Sequence, residues 1–584
     1  VVLLVLLLAL AVRLLQLQAV DSSDYVQSAT GQRIVKTAIP AERGAITDRN
    51  GSVLATSVEA RAVFGDPRSI AKDQKSCAKR MALPLTPTSD PVKPCTPQAI
   101  AEALSPVLGV PAADLAAKLS RDAGFVYLGR NLDVAVGNQV SELSLIGIGV
   151  TSEPRRDHPA GAVAANVLGF TDTDGKGAGG AELGFDQLLS GTPGKTTRQV
   201  DGGGRTIPSA GETQVAAVPG TGVQLTIDRD LQWYAQQVLA QKVAQTQALN
   251  GTAVVMDVQT GQILALATAP TFDANTPGKA QAQDLGNPAI SEVYEPGSVT
   301  KIVTAAAALE AGVVNPDTPI ADPDTYQVGK HTVHDAEPHA PQTLTFTGVM
   351  VKSSNVGTVQ VAQLLGEQRV HDALAAFGFG SKTGLGLPGE SRGVLPDVKD
   401  WSATSIATIP IGQGVSATAV QVASVYQTVA NNGVRVTPSI VKGTIAPDGS
   451  VTPAAAPTST RVISEATAKQ LQTMLEGVVT AEGTAPLAAI PGYRIAGKTG
   501  TAQRAIEGQR GYAAGHYTSS FVGFAPADAP RLVTAIVLQD TGKAGYFGGA
   551  VAGPVFKDVM GFALRSLQVP PTMTTPPTLR LKVG

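Results

Sequence analysis

The chain has 584 residues, with 45 basic and 47 acidic side chains and a formal net charge of −2. That length exceeds one ordinary domain, so two or three domains are expected. The balanced charge excludes the strong basic field of a nucleic-acid binder, and no acidic tract marks a disordered tail.

The chain opens VVLLVLLLALAVRLLQL, twelve apolar residues before Arg13 and three leucines after it. The run alone is shorter than the ~20 residues a bilayer needs, Arg13 can snorkel, and no small-residue cleavage site follows. A transmembrane anchor over residues 1–17, trimmed at its start, is expected, with a signal peptide as the alternative. No second stretch of this kind returns the chain, so a single-pass protein of the cell membrane with its catalytic part outside the cytoplasm is expected. Cys77 and Cys95 fit that setting, where a disulfide persists. A bridge would close the Pro-rich, polar segment between them and contribute about 3 kcal/mol in the chain-entropy model. Two unpaired thiols are the alternative.

Residues 18–222 are rich in Gly, Pro and short alternating segments, with amphipathic stretches such as TPQAIAEALSPVL, and read as an extended mixed region. At GTGVQLTIDRDLQWYAQQ the texture changes to a strand-like VQLTI, Asp228 as a helix cap, and an amphipathic helix. A domain boundary is placed there, and a second domain spans residues 223–565. Within it, TAVVMDVQTGQILALAT predicts two strands joined by a turn. Helices are predicted in SVTKIVTAAAALEAG, LTFTGVMVKSSNVGTVQVAQLLG and TAVQVASVYQTVANNG, and strands in RIAGKTGTA, SSFVGFAP and RLVTAIVLQD. This order suggests an α+β domain with an antiparallel sheet flanked by helices. Residues 566–584, rich in Pro and Thr, read as a linker-like tail.

The chemistry concentrates in three strings. In EPGSVTK, Ser298 stands one helical turn before Lys301, which i, i+3 spacing places on the same face. A serine needs a base to attack a carbonyl, and burial or positive potential keeps a lysine neutral enough to serve. A helix N-terminus also aims backbone N–H groups at a developing oxyanion. Ser298 as a simple helix cap is the plainer reading. The spacing alone decides little, because Ser69, Ser76 and Ser439 also begin S-x-x-K strings, although none of those leads an apolar helix. Two companions single out Ser298. Ser353-Ser354-Asn355 is the one S-x-N string and falls between apolar helical segments, where polar side chains are costly without a purpose. Lys498, Thr499, Gly500 and Thr501 stand on a predicted strand, whereas a second K-T-G at Lys382 sits in a turn-rich loop.

S-x-x-K, S-x-N and K-T-G in this order resemble the signature of penicillin-binding proteins and related β-lactamases. The whole chain resembles the class B penicillin-binding proteins, membrane-anchored peptidoglycan transpeptidases. RGAITDRNG at 43–51, RRDHPAGAVAANVLGF and GGAELGFDQLLSGTPG are similar to motifs of their N-terminal pedestal, with Phe185 where a tyrosine is common. The resemblance implies a pedestal over residues 18–222 and a penicillin-binding transpeptidase fold over residues 223–565. It makes Ser298 the acylated nucleophile and Lys301 its general base. It makes Ser353 a proton relay to the leaving amine and gives Asn355 the substrate amide and a contact with Lys301. Lys498, Thr499, Gly500 and Thr501 would bind the substrate's terminal carboxylate, and the backbone N–H groups of Ser298 and Thr501 would form the oxyanion hole. No cofactor and no metal is implied. The contexts EPGS, GQGVSATAVQ and ANNG look like the division-specific FtsI type, which implies stem peptides, β-lactams, a SEDS-family glycosyltransferase and divisome membrane proteins as partners. An elongation-type enzyme, a β-lactam sensor, a non-catalytic scaffold and a serine β-lactamase are the alternatives.

HTVHDAEPH gathers His331, His334, Asp335, Glu337 and His339 and invites a metal reading, but without regular helical i, i+4 spacing it reads better as a polar loop between the nucleophile helix and the S-x-N turn. DGGGRT at 201–206 lacks the G-K-[ST] of a phosphate loop and reads as a surface turn.

Overall fold

The computed structural model describes residues 2–16, 18, 34–81, 94–200, 207, 212–505, 511–541 and 545–583; DGGGRT at 201–206 lies outside them. The chain divides into two units, one of residues 1–44, 57–156 and 187–221, the other of residues 45–56, 157–186 and 222–584.

In the first unit the strands Ile34–Ile39, Gly194–Gln199 and Glu212–Val215 form a small antiparallel sheet. A separate core of Val63, Ile70, Ile100, Leu104, Leu115 and Leu128 is buried between helices and strands. The helix Pro97–Leu108 shows how locally such an element is specified: Thr96 accepts the Ala99 N–H, a proline opens the first turn, and Gly109 closes it in the left-handed region. Cys77 and Cys95 are disulfide-bonded, both buried, which selects the bridge over free thiols. The apolar N-terminal run forms the helix Val2–Leu15, exposed throughout, and among the described residues no helix is long and apolar enough to cross a membrane.

The second unit takes in part of each of the three motifs assigned above to a pedestal. Residues 45–51 make a turn in which Asp48 Oδ1 accepts the N–H groups of Asn50 and Ser52, both at 2.8 Å, and Asn50 Nδ2 donates to Asp228 Oδ2 at 3.2 Å. Asp228 caps the helix α1 (Arg229–Thr246), as expected from sequence, so this motif braces a helix start. Asn166, from the second motif, is buried and donates to the carbonyls of Asp284 and Gly286.

After α1 come β1 (Asn250–Asp257) and β2 (Ile263–Ala269), the predicted hairpin, and then α2 (Lys301–Glu310). β3 (Gln342–Thr345), α3 (Phe346–Lys352) and α4 (Asn355–Leu365) follow, with α5 (Ala419–Ala430) further on. The unit closes with β4 (Ala496–Ala505), β5 (Tyr512–Ala525), β6 (Leu532–Gln539) and α6 (Gly548–Ser566). The sheet order is β2-β1-β6-β5-β4, antiparallel throughout. Helices α1 and α6 pack on each other and on the sheet, and α5 packs on its central strands. Every residue of β2 and β6 is buried, which is why those strands read as continuous apolar runs rather than alternating ones. Helix α5 is buried all round and needs its Thr418–Gln421 capping box to satisfy its first N–H groups.

The linker-like tail is a correction. Residues 567–583 dock along the second unit: Tyr493 donates to the Val569 carbonyl at 2.7 Å, Thr574 to Asp528 at 2.6 Å, and Lys582 makes a bridge with Leu344 of β3. Proline bars regular secondary structure but leaves an extended chain whose threonine hydroxyls and carbonyls remain free to bond.

Candidate active site

Ser298 lies in a 3-10 turn, Gly297–Thr300, that runs directly into α2. The expectation was a serine at the α-helical N-terminus; the tighter turn keeps the i, i+3 relation to Lys301. The turn is fastened by Gly297 N–H to the Gly412 carbonyl at 3.1 Å and by the buried Tyr426 hydroxyl to the Val299 carbonyl at 2.9 Å. Strand β4 presses against it. Gly500 has to be glycine, since a Cβ there would collide with Ser520 Oγ and the Pro296 carbonyl.

Lys301 is fully buried because it opens a helix whose residues are nearly all in the core. Its Nζ donates to the Ser353 carbonyl at 2.6 Å, to Asn355 Oδ1 at 2.7 Å and to Ser353 Oγ at 3.3 Å. Burial lowers its pKa to about 7, against the opposing pull of Asp335 and Asp322. No hydrogen bond joins Lys301 to Ser298 among the described residues; catalytic pairs of this kind commonly tighten only with substrate. Lys498 is also fully buried, and its Nζ has no hydrogen-bond partner among the described residues. Burial, and then the charge of Lys301, drive its pKa well below the ordinary lysine value. Thr499 shares a hydroxyl contact of 2.9 Å with Thr484, and Thr501 Oγ1 accepts the Gly548 N–H at 3.1 Å.

Ser353 ends α3 in the left-handed region at φ 60°, a conformation that costs a non-glycine residue energy and is found at functional turns. Ser354 caps α4 by accepting the Gly357 N–H, and Asn355 begins that helix. Ser298, Ser353, Asn355, Thr499 and Thr501 all line one cleft of about 940 Å³. The other S-x-x-K strings have no such company. Ser69 is in the helix Pro67–Met81, Ser76 belongs to the same helix, and Lys442 beside Ser439 donates from a strand to the Arg49 carbonyl.

Sequence reasoning missed three contributors to this cleft. The rings of Tyr517 and Tyr546 stack with centroids 4.2 Å apart, Phe547 lies tilted against Tyr546 at 4.6 Å, and the three give it an apolar wall; no spacing in the sequence marks them. The docked tail brings Lys582 to its edge.

The third is Asp335, from the stretch read as a polar loop. Its Oδ1 accepts the N–H groups of Asn355 at 2.5 Å and Val356 at 3.1 Å, and His339 Nε2 lies 3.1 Å from its Oδ2. Burial would raise its pKa, but the Val356 N–H, His339 and the Lys301 charge together hold it below the ordinary range. Asp322, Asp335 and His339 place their ligand atoms within 4.8 Å of one another. Their oxygens are already engaged, Asp322 by Ser354 Oγ and Gln342 Nε2, so the cluster works as a hydrogen-bonded anchor for the S-x-N turn. The side chains of His331 and His334 of the H-x-x-H string are exposed on a strand outside the cluster, although the His334 carbonyl accepts Asn355 Nδ2 at 2.7 Å. Asp335→Asn should lower acylation rates and also move the acid limb of the pH–rate profile to lower pH. The anion that raises the Lys301 pKa is then gone, whereas a purely structural loss would leave the limb in place. Asparagine keeps an oxygen that can accept the Asn355 and Val356 N–H groups, whereas Asp335→Ala would orphan both, at ~1–3 kcal/mol of stability each, read by thermal unfolding.

The family model for the penicillin binding protein transpeptidase domain matches residues 251–561, and that for the penicillin-binding protein dimerisation domain matches residues 38–225. The penicillin-binding protein PbpB of Mycobacterium tuberculosis is 39% identical over 100% of this chain and 86% of its own. The peptidoglycan D,D-transpeptidase FtsI of Escherichia coli is 33% identical over 97% of this chain and 92% of its own. Among solved structures, penicillin binding protein 3 from Mycobacterium tuberculosis complexed with aztreonam is 35% identical, with a TM-score of 0.71 over 94% of this chain and all of that one.

Proposed function

The chain belongs to the penicillin-binding protein transpeptidase family, with both its transpeptidase and its dimerisation domain, and from that premise we propose that it is a serine D,D-transpeptidase cross-linking peptidoglycan stem peptides. Ser298 Oγ attacks the carbonyl between the two terminal D-alanines while Lys301 takes its proton. The tetrahedral oxyanion is held by the backbone N–H groups of Ser298 and Thr501. The C–N bond then breaks, Ser353 relays the proton to the departing D-alanine amine, and an ester on Ser298 remains. An amine of a neighbouring stem attacks that ester, gives up its proton and leaves the cross-linked product with Ser298 restored. Lys498, Thr499 and Thr501, with Gly500 letting the strand approach, bind the terminal carboxylate, and Asn355 holds the substrate amide.

The observation that carries this reading is Lys301: a fully buried lysine with a pKa of about 7, bonded to both Ser353 and Asn355, one turn after Ser298. A base poised near neutral pH beside a serine is what acyl transfer needs. A β-lactam would stop the cycle at the acyl-enzyme.

A septal role is favoured by the relatives named FtsI and PbpB and by the EPGS context. It would place the protein in the cell membrane through residues 1–17, next to a SEDS-family glycosyltransferase and divisome proteins. The test is purified protein with a pentapeptide donor and an amine acceptor, with products read by mass spectrometry. D-alanine release together with a peptide-bonded dimer is expected; rapid hydrolysis of penicillin in place of a stable adduct would contradict the reading. Depletion in cells should give filaments, and rounded cells would favour the elongation alternative.

A further inference from the structure

The C-terminal segment is fastened to the element that leads into the S-x-N turn. Thr345, the last residue of β3, caps α3 by accepting the Gly348 N–H, and α3 ends at Ser353. The same Thr345 donates its N–H to the Leu581 carbonyl at 3.0 Å and its hydroxyl to the Arg580 carbonyl at 2.6 Å. Val583 N–H returns to the Thr343 carbonyl at 3.1 Å. The approach is close enough that a Cβ on Gly348 would collide with the Leu581 carbonyl. Backbone bonds on both sides therefore fix Lys582 in register beside Leu344.

Lys582 lines the same cleft as Ser298 and Ser353. It is exposed and takes part in no hydrogen bond or ion pair among the described residues. Lys352, the other lysine lining the cleft, donates to the Glu482 carbonyl at 2.7 Å, and Lys301 and Lys498 are buried beneath it. Among the described lysines lining the cleft, Lys582 is thus the one with no polar partner, held by a backbone pinned beside β3.

We propose that Lys582 is a specificity-determining residue that pairs with a second anionic group of the donor peptide, a carboxylate upstream of the two terminal residues. The inference rests on the transpeptidase reading above, in which Lys498, Thr499 and Thr501 take the terminal carboxylate. Exposed Asp and Glu side chains near a lysine usually add little, and a half-open cleft bounds the effect to a few-fold.

The test uses two thioester donors ending in the same D-alanine-type leaving unit, identical except that the upstream residue carries a free carboxylate in one and a carboxamide in the other. The parent should acylate about threefold to fivefold faster with the carboxylate donor, a preference that fades as salt is raised. Lys582→Ala should abolish the preference, Lys582→Arg should keep it, and Lys582→Glu should invert it. Benzylpenicillin acylation, which has no upstream carboxylate to lose, should stay unchanged in all three variants and reports that the cleft is intact. A preference that survives in Lys582→Ala, or an equal slowing of both donors, overturns the proposal while leaving the transpeptidase reading standing. Failure of the parent to acylate with either donor or with benzylpenicillin removes the transpeptidase reading and this inference with it.

Discussion

Replacing Ser298 with alanine should abolish covalent labelling by a fluorescent penicillin, while Ser439→Ala and Ser69→Ala should label like the parent. Removing a serine nucleophile costs on the order of 10^6 in rate where it has been measured in other serine enzymes, because no other group takes over the covalent step. The contrast among the serines is the informative part. All begin an S-x-x-K string, yet Ser298 alone shares a cleft with Ser353, Asn355, Thr499 and Thr501. Ser439 sits beside a strand whose lysine is already bonded to the Arg49 carbonyl. Loss of its hydroxyl should also leave the fold intact, since no hydrogen bond depends on the Ser298 side chain among the described residues, so thermal unfolding should match the parent. A denaturation-resistant adduct on Ser298→Ala would remove the nucleophile assignment.

Replacing Lys301 should be almost as severe, and its pH dependence gives the sharper reading. Burial lowers the folded pKa of Lys301 from 10.5 to about 7, so the fraction able to accept a proton grows as pH rises through 7. The second-order acylation constant should therefore fall about tenfold per pH unit below that point and level off above it. Lys301→Ala should lower the plateau by ~10^2 to 10^4-fold, the range of a positioned general base, and should erase the acid limb. The same shift carries a stability signature. Between about pH 7 and the ordinary lysine value the unfolded chain binds more protons than the folded one, so stability rises with pH across that window. In Lys301→Met that slope should shrink to the part that buried Lys498 contributes, which equilibrium denaturation at several pH values would detect. An acid limb that persists in Lys301→Ala would mean that another group takes the proton.

Much of the catalytic unit could be read from periodicity because its elements obey simple rules. Continuous apolar runs became β2 and β6, covered on both faces, and Asp228 capped the helix it preceded. The site was legible where chemistry needs a fixed spacing, as in Ser298 with Lys301, and where a polar triplet interrupts apolar helices, as at Ser353. Asp335 was hidden because its role depends on a long-range bond to the N–H groups of Asn355 and Val356, about twenty residues away. The tail was misread for a related reason. Proline and threonine content reports the absence of helix or strand, and says nothing of whether an extended chain finds carbonyls and hydroxyls to bond. The aromatic wall brings together Tyr517 from β5 and the pair Tyr546–Phe547 just before α6, a juxtaposition only the tertiary fold makes.

The two buried lysines have one more effect. Burial lowers the pKa of Lys301, and burial together with the Lys301 charge lowers that of Lys498, so a resting cleft at neutral pH carries less positive charge than its sequence suggests. A carboxylate arriving at Lys498 reverses that, since a neighbouring anion favours the ammonium form. Binding then draws a proton out of the surrounding solution. The cleft would greet its ligand as a proton-coupled receptor, with an affinity for carboxylates that weakens steadily as the medium becomes more alkaline.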